Sequence, residues 1–62
     1  MFKEAFNKLI EERETNIFKV SKETNIPVAT MYDWAKGKTE PKFESVVKLS
    51  KHFGVSVEYF AD

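Results

Sequence analysis

Cysteine is absent from the 62 residues, so no disulfide and no thiolate metal site can staple the chain. A single histidine, His52, cannot supply zinc-ligand spacing, and no metal site is expected. Charge of one sign is missing too. Ten basic and ten acidic residues give a net charge of zero, so bulk charge points to no polyanionic partner. No apolar stretch nears the length that crosses a bilayer. The first residues carry Lys3 and Glu4 instead of a basic segment followed by an apolar run. A cytoplasmic protein with no membrane role is the default reading. The chain also lacks the parts of an active site: no paired carboxylates in a plausible cleft, no nucleophile with a base, no glycine loop to cradle phosphate. No enzyme, no cofactor and no small-molecule ligand are expected.

What is present is apolar. Hydrophobic residues make up 42% of the chain and six are Phe, which suits a packed helical domain and not disorder. One domain, residues 1–62, is expected. A chain this short buries only about 60% of the surface its unfolded form exposes, so its stability margin is thin. The charges are unevenly placed. Residues 15–42 hold five lysines against Glu23, Asp33 and Glu40, so the middle is the positive part.

Gly and Pro occur twice each, widely spaced, and apolar positions recur at three and four. Phe2, Phe6, Leu9, Ile10 and Arg13 fit one face of a first helix over about 2–14. Asn16 is placed to cap a second helix reaching about Glu23, with Val20 and Ser21 inward. Asn25 tolerates the left-handed conformation that ends a helix. Ile26 points into the core, and Pro27 suits the start of a third helix, which Gly37 ends near Lys36. Pro41 blocks any helix through the next linker. A fourth helix covers about Phe43 to His52, with Phe43, Val46, Val47, Leu49, Ser50 and Phe53 as its apolar run, and Gly54 stops it. Val55 drops into the core, Ser56 caps, and Val57 to Phe60 form a last turn or two. The expectation is all-α, a compact domain of five helices without a sheet.

The second and third helices, in "NIFKVSKETNIPVATMYDWAKG", form a helix-turn-helix: two short helices, a tight turn, and a buried apolar residue after it. Val20, Ile26, Met31 and Trp34 pin them at a steep angle. Trp34 and Met31 are read as core, with Trp34 between helices two, three and four. The far side of helix three then projects from the body and is free to enter a major groove.

The chain resembles the lambda-repressor and Cro-like helix-turn-helix proteins, also called the XRE family. The matching residues are Leu9, Arg13, Val20-Ser21, Asn25-Ile26, Thr30-Met31 and Trp34. They continue with Gly37-x-x-x-Pro41, Val46-x-x-Leu49-Ser50-x-x-Phe53-Gly54-Val55-Ser56 and Phe60. The resemblance covers nearly the whole chain. It implies a five-helix domain that binds double-stranded operator DNA, usually as a homodimer. There are departures: Ile17 stands where the family often has a DNA-touching Gln, Asn25 replaces the turn Gly, and Ser21 and Ser50 replace the commoner Ala.

Within that frame the candidates divide by chemistry. Val28 and Ala29 suit thymine methyls, and Tyr32 reaches a base edge or phosphate. Asp33 has two readings, acceptor from a cytosine amino group or partner of Lys36 one turn on; the ion pair is favoured. Lys36, Lys38, Thr39 and Lys42 surround the loop after helix three, where relatives lie along the DNA backbone; a solvated lysine loop is the plain alternative. Asn16 and Lys19, at the start of helix two, carry the same two readings, with the helix N-terminus favouring a phosphate. Phe18 either packs on helix one or marks a partner surface, and His52 is an ordinary surface residue. Val57 and Tyr59 are candidates for a dimer patch, with core packing as the alternative. The leading function is a sequence-specific repressor of phage or mobile-element type, acting by operator occupancy. The rivals are a protein-interaction module on the same fold, and the DNA-binding part of a longer regulator.

Overall fold

The computed structural model describes residues 1–61. Four α-helices follow one another: α1 Phe2–Glu12, α2 Ile17–Thr24, α3 Val28–Lys36 and α4 Phe43–Phe53. A 3₁₀ turn, Val57–Phe60, comes last, and no strand occurs among the described residues. The expected fifth helix is thus a single turn. Its bonds run between residues three apart, with Tyr59 N–H donating to the Ser56 carbonyl at 3.0 Å. Four residues are the usual length for such a turn, and a β-branched and two aromatic residues among them lower helix propensity. Ser56 starts the turn through its backbone, with no side-chain cap.

Each boundary has a local cause. Glu14 takes a positive φ of 52° after α1, and Thr15 N–H closes back onto the Ile10 carbonyl at 3.1 Å. Asn16 is extended and its Oδ1 accepts the Lys19 N–H at 2.8 Å, capping α2. Asn25, at φ 62°, supplies the left-handed end of α2. Gly37, at φ 79°, ends α3, and the next N–H, of Lys38, returns to the Asp33 carbonyl at 2.9 Å. Gly54 ends α4 in the same conformation.

The core gathers Phe2, Phe6, Leu9, Val20, Ile26, Met31, Trp34, Leu49, Phe53 and Phe60. Trp34 is 4% exposed, buried as expected, and the rings it meets are on α1. It meets Phe2 and Phe6 of α1 edge-on, at centroid distances of 5.8 and 6.3 Å. Phe2 in turn stacks on Phe6 at 5.3 Å and meets Phe60 at 5.2 Å. An aromatic cluster on α1 therefore holds the last turn of α3 and the closing 3₁₀ turn. The apolar run given to α4 is shorter than expected. Phe43 is 71% exposed, because the first residue of the helix lies beyond the core that Leu49 and Phe53 reach.

Polar side chains tie the elements where carbonyls would be left over. Ser21 Oγ donates to the Ile26 carbonyl, bracing the turn between α2 and α3. Arg13 Nη1 donates to the Phe53 carbonyl at 2.8 Å, and its guanidinium lies 6.0 Å from the Phe53 ring centroid. A cation at the carboxyl end of α4 meets both its free carbonyls and its dipole. Arg13→Ala is expected to cost about 1.5–2 kcal/mol, the lower part of the range for a charged hydrogen bond because the side chain is partly solvated. Denaturant titration of the variant against the parent chain checks it.

Candidate nucleic-acid interface

The turn at 25–27 sets the two helices of the motif against each other. Ile26 is buried beneath it and Val20 is fully buried on α2. On α3, Met31 and Trp34 take the inward side. At about 100° per residue, Val28, Ala29, Tyr32, Asp33 and Lys36 then share an outward arc of roughly 140°. Ala29, Tyr32 and Lys36 are exposed, while Val28 and Asp33 are half-buried. Tyr32 is the large member of this surface, at 47% exposed.

The lysines continue this surface at the carboxyl end of α3. Lys36, Lys38, Thr39 and Lys42 are all exposed, on the helix end and the loop that follows. Asp33 and Lys36 form no ion pair among the described residues, which corrects the favoured reading of Asp33. One turn of separation is too weak a constraint, worth only about 0.2–0.5 kcal/mol, to hold two solvated side chains together. Both side chains stay open to a ligand.

At the start of α2, Asn16 and Lys19 are exposed. The cap commits Asn16 Oδ1 to the Lys19 N–H, and the side chain is otherwise exposed. The first N–H groups of α2, on Ile17 and Phe18, have no acceptor within the helix. Ile17 itself is half-buried and packs on the core. Phe18 stays largely outside the core. It is 58% exposed, with the Lys22 ammonium 5.3 Å from its ring centroid.

Two further placements were not visible from spacing. His52 is exposed as expected, but its Nε2 lies 3.4 Å from Glu23 Oε1, linking α4 to α2. Asn7 Nδ2 donates to the Ala35 carbonyl at 3.0 Å, so α1 touches the carboxyl end of α3 directly. Val57 and Tyr59, the candidate dimer residues, separate. Tyr59 is half-buried against the core and edge-on to Phe60 at 5.6 Å. Val57 lines a groove of about 460 Å³ with Met1, Pro41, Phe43 and Val46.

No helix among the described residues is long and apolar enough to cross a membrane. No curated protein and no solved structure matches the chain. A family model does, the helix-turn-helix model, over residues 8–60. That span contains both helices of the motif, the lysine loop, α4 and the closing turn. The matched family consists of DNA-binding regulators and is not typically enzymatic. With most of its length matched and the helix pair folded as the motif requires, the chain belongs to the Cro-like, or XRE, family of helix-turn-helix transcription regulators.

Proposed function

We propose that the protein represses transcription by occupying an operator, with α3 lying in the major groove. The observation that carries this reading is the two-sidedness of α3: Met31 and Trp34 are buried, and the opposite face offers Val28, Ala29 and Tyr32 with lysines following. A groove reader needs small or planar side chains close to base edges, and cations where phosphates pass. Val28 and Ala29 meet thymine methyls, Tyr32 and Asp33 meet polar base edges, and Asn16, Lys19, Lys36, Lys38, Thr39 and Lys42 hold the backbone. Selection of bound sequences from a random duplex pool tests it. A short, recurring site supports sequence-specific binding; a pool that never enriches sinks it.

The operator complex holds two chains in this reading. Half-sites in this motif class lie about 34–36 Å apart, and one small module offers limited interface. Val57 and exposed Phe43, on one apolar groove, are the surface we assign to the partner copy. Native mass measurement of the complex is expected to give two chains per high-affinity site. One chain per site at full affinity contradicts the dimer.

A protein-binding role is the second reading, favoured by one observation. Phe18 stands 58% exposed at the amino end of α2, beside Ile17, where an aromatic ring adds nothing to phosphate binding. Duplex affinity separates the two readings, because groove binding must fall steeply with salt.

A further inference from the structure

The lysine loop has a charged neighbour from outside the motif. Lys3, in the first turn of α1, runs its side chain across Gly37. A Cβ placed on Gly37 would stand 3.0 Å from Lys3 Cδ and 3.8 Å from both Lys3 Cε and Nζ. The positive φ favours glycine there, and any Cβ at that position would push the Lys3 side chain aside. One turn along α1, Asn7 fastens the same face to the Ala35 carbonyl. Lys3, Gly37 and Thr39 also line one small pocket of about 180 Å³ beside Trp34. The ammonium of Lys3 is thereby delivered to the start of the segment that carries Lys38 and Thr39.

The nearby acids do not neutralise it. Glu4 lies 3.9 Å from the Met1 amine. Glu4 and Glu40 both line the same pocket, but Lys3 has no ion-pair partner among the described residues. Two chain segments thus meet at the α3 cap, where Lys3 lies over Gly37, the residue between Lys36 and Lys38.

We infer that Lys3 is a further backbone-phosphate contact, carried by α1 and laid over Gly37 so that it grips the strand next to Lys38. The inference rests on the proposed function, since it requires the lysine loop to lie on DNA. It extends the footprint beyond the helix-turn-helix to the first turn of the chain.

The test is a salt titration of Lys3→Ala, Lys3→Arg and Lys8→Ala against a mixed-sequence duplex of about 30 base pairs, roughly three helical turns. Lys8 is also exposed but lies about 140° around α1 from Lys3, so it serves as the matched charge loss. Lys3→Ala is expected to lower the salt slope by about one per bound chain and to weaken binding about eightfold at 0.1 M salt. Lys3→Arg keeps the parent slope, and Lys8→Ala leaves it unchanged. Thermal melting of all three confirms equal folding. If Lys3→Ala behaves as Lys8→Ala does while Lys38→Ala still lowers the slope, the inference falls and the proposed function stands. A loss of affinity at unchanged slope makes Lys3 a packing residue and also overturns it. A parent chain with no salt-dependent duplex binding removes the proposed function, and this inference with it.

Discussion

Trp34→Ala is expected to cost about 3–5 kcal/mol, enough to leave much of the population unfolded at room temperature. The indole is almost fully buried and meets two rings of α1 edge-on. Its removal takes away the burial of a large aromatic and two favourable ring contacts, and opens a cavity. It also loosens the element that presents the outward face, because α3 packs on both α1 and α2. A domain this size has a total stability of only several kcal/mol, so the loss is close to the whole. Denaturant titration followed by circular dichroism measures it. A cost under about 1 kcal/mol would place the indole outside the core. Trp34→Phe keeps part of the contact with Phe2 and Phe6 and is expected to recover roughly half.

Replacing Lys36, Lys38 and Lys42 together by Ala has the largest expected effect on binding. Each phosphate neutralised contributes about 0.9 to the slope of log affinity against log salt. Three lost contacts lower the slope by about 2.7 per chain. At 0.1 M salt that corresponds to a loss on the order of 500-fold in affinity per chain. The loss falls equally on preferred and scrambled duplexes, since phosphates carry no sequence information. All three side chains are exposed, so each substitution is expected to change stability by no more than about 0.5 kcal/mol, about 1.5 kcal/mol for the three together. An unchanged slope would put the loop in solvent and move the protein toward the protein-partner reading.

Much of this architecture was legible in the residues because its signals are local. Asn16 caps, Asn25 and Gly37 turn left-handed, and Gly54 stops α4; each is a property of one residue type in one backbone state. The inward residues of α2 and α3 also followed from helical spacing. What spacing does not carry is which helix a buried side chain meets. Trp34 was assigned to helices two, three and four, and its rings are on α1. Phe43 fits the apolar period of α4, yet it starts the helix beyond the reach of the core and stays exposed. The closing segment has helical spacing, but its β-branched and aromatic residues lower helix propensity and it forms a single 3₁₀ turn. At the candidate site, the outward arc of α3 was readable because it is the complement of Met31 and Trp34. The absent Asp33–Lys36 pair was not readable, since solvated side chains one turn apart gain too little to fix their positions. The approach of Lys3 to Gly37 is a meeting of residues far apart in sequence, which no window along the chain contains.

In the proposed complex the labour is divided along the chain: the amino half of α3 reads bases while the lysines beyond it hold the backbone. One experiment addresses it most directly, the titration of Tyr32→Ala, Val28→Ala and Lys38→Ala against the selected duplex and a scrambled one at several salt concentrations. Tyr32→Ala and Val28→Ala are predicted to lose about 1–3 kcal/mol of discrimination at one position per half-site, with the salt slope unchanged. Lys38→Ala is predicted to weaken both duplexes alike and to lower the slope by about one per chain. If Lys38→Ala alters base preference while the Tyr32 and Val28 variants do not, the motif docks the other way round and the claim is contradicted.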